Sequence, residues 1–219
     1  MFVVLGIYCA GGFGGTVLEL VRELNDDSHR WDYICFINDV HPEIETEVEV
    51  LSFEQFKAKF PPSKANIIIA SGEPIGRMRL FNKVKKEGYY LPNILHSSSA
   101  TAKKIKKIGE GNIIQDFVHI SPSNVEIGNN NVFMTFSRIA HDSIIGNHCV
   151  FTSSTNCSGR VIVEDCCYIG TGAKLRDKII IKKNAIVGMG AIVTKSVEEN
   201  SVVVGNPAKE IRKNTGHVF

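Results

Sequence analysis

The chain of 219 residues has no apolar run long enough to span a membrane, and its opening MFVVLGIYCAGGFGG has no basic segment ahead of the apolar residues. Both absences lead to the expectation of a soluble, cytoplasmic protein with no membrane partner. Net charge is equally scant. Lys and Arg number 25 against 23 Asp and Glu, and the resulting +2 favours no nucleic acid or other polyanionic partner. The one basic run, Lys103, Lys104, Lys106 and Lys107, reads as a solvated edge. The cysteines, Cys9, Cys35, Cys149, Cys157, Cys166 and Cys167, include no C-x-x-C pair, so neither a disulfide framework nor a cysteine metal site is expected. They read as small buried fillers, with Cys9 the candidate for a reactive thiol. A complete G-x-G-x-x-G is also missing: Gly12 and Gly14 supply the first pair, but position 17 is Val, which argues against a dinucleotide site.

What is present is a repeat. From Ile127 a buried-type residue recurs at every sixth position: Phe133, Ile139, Ile145, Phe151, Cys157, Val163, Ile169, Leu175, Ile181, Val187 and Val193. A helix would repeat its apolar face every third or fourth residue and a flat strand every second, so period six predicts short strands joined by tight corners, a parallel β-helix with three sides to a coil. The fifth position of each hexad is mostly small or apolar, as a second inward position near a corner requires. Glycine follows the lead residue at Gly128, Gly146, Gly170 and Gly188, where the expected reason is a backbone conformation that only glycine reaches cheaply. Upstream, Ile108, Ile114 and Ile120 keep the period and then take seven residues to reach Ile127, which predicts one bulged corner.

The earlier part of the chain follows another rule. An apolar run from Phe2 to Tyr8, a glycine loop, a helical stretch Thr16 to Leu24 and a second run Tyr33 to Asn38 form a βαβ opening. Helices are expected over Phe53 to Phe60 and Pro74 to Glu87, with strands at Asn66 to Ala70 and about Leu91 to His96. The fold class is therefore a small Rossmann-like α/β domain over residues 1–98, then an all-β parallel β-helix over 99–219 with a short C-terminal tail. The join is placed in Ser97 to Thr101, a polar stretch where few contacts need cross.

Three features carry candidate chemistry. The loop Cys9 to Gly15 precedes a helix, where backbone N–H groups and the helix's positive end can hold a phosphate, or it is a tight turn with no ligand. Asn38 and Asp39 end the next strand at the mouth of the same crevice, where polar groups can read a ribose or base. His141, with Asp142 beside it, is either a general base oriented by a carboxylate or a surface histidine. His119, His141 and His148 fall at different hexad positions and should not converge, so no metal is expected. Stacked at 18-residue intervals, Gly170-Thr171-Gly172 lies under Gly188-Met189-Gly190. The two segments are either corners or a bare groove for a thin acyl carrier, its thioester near His141, about 13 Å away along the axis.

These residues together resemble the bacterial hexapeptide-repeat sugar acetyltransferases, the group of sialic-acid O-acetyltransferases and bacillosamine-type nucleotide-aminosugar N-acetyltransferases. The resemblance rests on AGGFG after the first strand, Asn38-Asp39 after the second, Ile139-Ala-His-Asp-Ser-Ile-Ile-Gly146, Ile169-Gly-Thr-Gly-Ala173, Val187-Gly-Met-Gly-Ala-Ile-Val193 and Gly205-Asn-Pro-Ala-Lys209. It implies a left-handed β-helix and a homotrimer, with acetyl-CoA between two subunits as co-substrate. Its contacts would be Gly159, Thr171, Gly172, Met189 and Gly190, with Lys209 near a phosphate. It implies His141 as the base, Asp142 as its orienting carboxylate, and Gly11, Gly12, Phe13, Gly14, Asn38 and Asp39 around the UDP or dTDP of an amino-deoxy sugar. The activity implied is N-acetylation in polysaccharide or glycan biosynthesis, with O-acetylation of a sialic acid as the alternative. Two departures stand out: Phe13 where family loops often carry His, and Val150 where some members have a second histidine.

Overall fold

The computed structural model describes residues 2–40, 46–99, 105 and 107–216. The chain opens with β1 (Val4–Tyr8), α1 (Gly12–Ser28), β2 (Tyr33–Ile37), β3 (Val50–Leu51), α2 (Phe53–Lys59), β4 (Ala65–Ile69) and α3 (Pro74–Lys86). The strands form one parallel sheet in the order β3-β2-β1-β4. Every residue of β1 is buried because both faces of the sheet are covered. Leu5 and Ile7 pack on one side with Val17, Leu18 and Val21 of α1, while Val4 and Tyr8 pack on the other with Phe53 and Phe56 of α2. Helix α1 begins four residues before the expected Thr16, because the glycines of the loop are already helical. Helix α2 starts on a capping box in which the Ser52 hydroxyl accepts from Gln55 N and the Gln55 side chain accepts from Ser52 N.

The predicted strand near 91–96 is divided in two. Tyr90 makes a single bridge to Asn66 at the edge of the first sheet, whereas β5 (Ile94–Leu95) pairs with Ile113–Ile114 and is the first rung of the solenoid. The two-residue strands β6 to β20 then run from Lys107–Ile108 to Ile192–Val193 and stack into three parallel sheets, the three-sided prism that the hexads predict, left-handed as the resemblance implies. One face carries Val132–Phe133, Val150–Phe151, Tyr168–Ile169 and Ile186–Val187. The second carries Arg138–Ile139, Asn156–Cys157 and Lys174–Leu175, and the third Ile144–Ile145, Ile162–Val163 and Ile180–Ile181. Partners lie eighteen residues apart, and all twelve lead residues from Ile127 to Val193 are buried in one continuous core. Between Ile120 and Ile127 the extra residue is real: side-chain ladders such as Asn112 to Asn131 (3.0 Å) step by nineteen there and by eighteen below. On the first face the stack ends in an antiparallel hairpin, β21 (Ser201–Gly205) and β22 (Ala208–Lys213).

The corner glycines have a different cause from the one expected. Positive φ falls two residues later in each hexad, and mostly on other residue types: Asn130 (56°), Phe136 (63°), Asp142 (58°), His148 (61°), Ser154 (60°), Arg160 (61°) and Lys178 (59°). Each such L-residue gives up roughly 1 kcal/mol to the αL conformation, which the stacked ladder on either side holds in place. Gly128, Gly146, Gly170 and Gly188 are required by close approach. A Cβ at Gly128 would lie 2.5 Å from the Gly146 carbonyl oxygen, and one at Gly170 2.6 Å from Met189 N.

The α/β unit sits on the first face of the prism. Outward residues Ile113, Val132 and Val150 belong to the same apolar cluster as Leu5, Ile7 and Val17. Arg77 of α3 is fully buried across this junction. It donates to the carbonyls of Ile69 (2.6 Å), Ser71 (2.9 Å) and Asn130 (3.0 Å) and to Asn130 Oδ1 (2.7 Å), and Asn130 Nδ2 lies 3.0 Å from His148 Nδ1. Burial pulls the guanidinium down to about 9, and burial with Arg77 nearby holds the His148 imidazole down at about 4, so His148 is neutral. The join is likewise more tightly stitched than expected. The buried Ser99 hydroxyl donates to the Gln115 carbonyl (2.7 Å) and accepts from Val118 N (3.0 Å). Ala100 and Thr101 of the predicted join, and Lys103, Lys104 and Lys106 of the basic run, lie outside the described residues; Lys107 pairs with Glu126.

Candidate active site

His141 and Asp142 form the corner where the chain turns from the second face to the third. The imidazole stands half exposed, its Nδ1 2.8 Å from Asp142 Oδ2. Asp142 is held in turn by Asn124 Nδ2 (3.0 Å) one coil above and approached by Arg160 Nε (3.8 Å) one coil below. The bond to His141, then the one to Asn124, holds the Asp142 carboxyl below the usual carboxylate range. An ionised Asp142 fixes the tautomer with the proton on Nδ1 and leaves the Nε2 lone pair unprotonated, the form a general base needs. Gly159 occupies the equivalent position one coil below. A Cβ there would lie 2.7 Å from His141 Cε1 and 2.8 Å from Nε2, so the absence of a side chain at 159 makes the ring's berth.

Thr171, Gly172, Met189 and Gly190 come together as expected, but on another edge. They turn the chain from the first face to the second. Gly190 N donates to the Thr171 carbonyl (2.8 Å), Thr171 Oγ1 bonds Thr152 Oγ1 (3.2 Å), and Met189 is 78% exposed. At Gly172 and Gly190, whose φ angles are +71° and +66°, a Cβ would meet nothing within 4 Å, so a bare open surface runs down this edge. The hairpin register sets Lys209 opposite Val204, at the foot of the same edge. The expectation that a carrier in this groove would reach His141 of its own chain counted only distance along the axis. The two features are separated by the whole width of the second face.

The glycine loop is also sorted by the structure. Helix α1 has no side-chain cap and no acidic residue in its first turn, whereas α3 is capped by the Glu73 carboxylate on Ile75 N and Gly76 N. The positive end of α1 is thus left for an anion, and that of α3 is not. A Cβ at Gly11 or Gly12 would meet nothing, while one at Gly14 would lie 2.3 Å from the Cys9 carbonyl oxygen, so Gly14 serves helix-to-strand packing. Phe13 is half-buried against the core, and burial pushes the Cys9 thiol up to about 11, which removes it as a reactive nucleophile. Asp39 is already bonded, by Tyr8 Oη (2.6 Å), Lys83 Nζ (2.7 Å) and Phe53 N (2.8 Å). Burial raises its carboxyl, but Lys83, the Phe53 N–H and Tyr8 outweigh that and hold it low. Sequence reading missed Tyr8, Lys83, Asn124 and Arg160. It also missed Ser71 and Gly72 after β4, which the strand order places at the switch point beside the loop after β1.

Residues 4–84 match the PglD N-terminal domain family. The chain is similar in structure to WeeI from Acinetobacter baumannii AYE, with 33% identity over 95% of this chain and 100% of that one, at a TM-score of 0.85. It shares its fold with the acetyltransferase domain of PglB from Neisseria gonorrhoeae FA1090 in complex with acetyl coenzyme A (21% identity, 96% and 100% covered, TM-score 0.85). The same holds for PerB from Caulobacter crescentus in complex with CoA and GDP-perosamine (22%, 97% and 99%, TM-score 0.86). No curated protein sequence matches the chain significantly. Among the described residues no helix is long and apolar enough to cross a membrane, and no three His, Cys, Asp or Glu side chains cluster as a metal site.

Proposed function

We propose that this chain, which belongs to the hexapeptide-repeat sugar acetyltransferase family, transfers acetyl from acetyl-CoA to the amine of a nucleotide-linked amino-deoxy sugar. The observation that carries the reading is the His141 corner: a half-exposed imidazole, a carboxylate on its Nδ1, and a glycine clearing the space beneath its Nε2. The sugar amine attacks the thioester carbonyl, the new C–N bond forms, and His141 Nε2 takes the amine proton as Asp142 steadies the imidazolium. The C–S bond then breaks and the CoA thiolate leaves, with no acyl-enzyme. A backbone N–H near Gly159 is the proposed donor to the oxyanion.

The separation of edges supports a homotrimer as the working unit. A base on one edge and a donor groove of Thr171, Gly172, Met189 and Gly190 on another can meet when neighbouring prisms stand side by side, the groove of one facing His141 of the next. Lys209 at the foot of the groove is suited to a CoA phosphate. The uncapped start of α1, with Gly11, Gly12 and the end of β2 at Asn38, is the proposed diphosphate crevice. One protein of this fold, PerB, is seen with a GDP sugar, so the acceptors to be tested carry UDP, dTDP or GDP.

The test is release of free CoA thiol on incubating the chain and acetyl-CoA with nucleotide-linked 3- and 4-amino sugars and, separately, sialic acid. Saturable release with one nucleotide amino sugar is expected; release with sialic acid alone would convert the reading to O-acetylation, and no saturable acetyl-CoA binding would end it. A second measurement addresses the berth. Gly159→Ala should fold with unchanged thermal midpoint, because the clash meets the free end of a side chain, yet lower the rate about tenfold or more by turning Nε2 aside. A parental rate would remove the role assigned to this contact.

A further inference from the structure

The edge that carries the donor groove changes character along its length. At the αL position of successive coils it reads Phe117, Phe136, Ser154, Gly172 and Gly190. Phe117 is 57% exposed and Phe136 61%, and their rings stack almost parallel, 7° apart with centroids at 5.3 Å. Below Phe136 the side chains shrink at once to a hydroxymethyl and then to nothing. The result is an aromatic shelf above a bare groove. Two exposed phenyl rings bury little of their area in the chain itself, and such surface is retained where something apolar lies against it.

Three relations of position identify what lies there, on the reading that the chain acetylates a nucleotide amino sugar. First, Phe117 walls a cleft between the prism and α1, lined also by Thr16, Leu20, His96, Asp116 and Thr135. Thr16 is one turn from the helix start at which the nucleotide's phosphates are placed, so the cleft leads from that crevice to the shelf. Second, Gly172 lies two coils below Phe136, about 10 Å at roughly 4.8 Å per coil, so an acyl carrier rising in the groove ends under the shelf. Third, Phe136 and His141 belong to the same coil. A threefold axis parallel to the prism preserves height, so the neighbouring subunit's copy of the base stands level with Phe136. In that arrangement nucleotide, thioester and base would approach one another at the shelf, where the sugar ring between them would lie.

We infer that the Phe117–Phe136 pair is the platform for the acceptor's sugar ring, taking the apolar carbon face of a deoxy amino pyranose and holding its amine toward the thioester. An aromatic face matched to the C–H face of a pyranose selects ring orientation without hydrogen bonds, while the polar groups of the cleft read the substituents. The contact would make Phe136 a positioning and specificity residue for the acceptor, with no part in holding the donor.

The experiment compares Phe136→Ala, Phe136→Tyr and Phe117→Ala with the parent chain by thiol-release kinetics against both substrates, acetyl-CoA titration and light scattering. The expected result is a rise of about tenfold in KM for the nucleotide amino sugar in Phe136→Ala and a smaller rise in Phe117→Ala. Phe136→Tyr should behave as the parent, with acetyl-CoA Kd and molecular mass unchanged throughout. An unchanged acceptor KM overturns the platform. So does a fall in mass, which would make the pair a subunit contact, and so does a matching loss of acetyl-CoA affinity, which would assign it to the donor groove. A parent chain that releases no thiol with any amino sugar overturns the functional reading itself and the platform with it.

Discussion

His141→Ala lowers kcat about a hundredfold or more and leaves the acetyl-CoA Kd within about twofold of the parent value. The size follows from the chemistry. Without a base, the amine must shed its proton to water as the tetrahedral centre forms, and a positioned imidazole is worth two to four powers of ten at such a step. The selectivity follows from geometry: the ring is half exposed, lies over Gly159 and beside Asp142, contributes nothing to the prism core, and the groove proposed for the donor is built without it from Thr171, Gly172, Met189 and Gly190. Thiol release at saturating substrates, with titration of acetyl-CoA into both proteins, measures the two quantities independently. An alanine variant with the parental rate would withdraw the base from His141.

Arg77→Ala destabilises the fold on the order of 4 kcal/mol. The guanidinium is buried with four acceptors, the carbonyls of Ile69, Ser71 and Asn130 and the Asn130 amide oxygen, and among the described residues no carboxylate pairs with it. Its removal strands those oxygens in a largely buried junction, each at about 1 kcal/mol or more, and opens a cavity besides. Arg77→Met keeps most of the bulk and should remain strongly destabilised, which separates unpaired carbonyls from lost packing. The measurement is a urea transition for each variant, read as a shift of midpoint at nearly constant slope. A loss below about 1 kcal/mol would mean that water reaches the junction and replaces the guanidinium.

Much of this molecule is written in its period. The run from Ile127 to Val193 locates the lead inward residue on each side of the lower coils, because a two-residue strand with a four-residue corner admits one lead position per side and a single slip would expose it. The βαβ opening was legible for the same kind of reason, since fully buried parallel strands are continuous apolar runs. Corners were less legible. Lys178 and Arg160 in αL have no local signature, because the ladder above and below imposes the conformation, whereas the glycines that drew attention answer to clashes with the next coil. His141 and Asp142 could be paired from adjacency, but Asn124 and Arg160 join them only through the eighteen-residue stacking. The tie of Lys83 and Tyr8 to Asp39 spans 44 and 31 positions and has no period to reveal it.

Rungs that stack by identical hydrogen bonds would, left bare at the bottom, welcome the top of another molecule and grow into fibres. The last turn of this chain forbids that on the first face. Strand β22 runs against the direction of every rung above it and lines the outside with Lys209, Glu210, Arg212 and Lys213, so an arriving coil finds reversed polarity and a fence of opposite charges. The column is finite by construction, and its height is set by where the backbone doubles back.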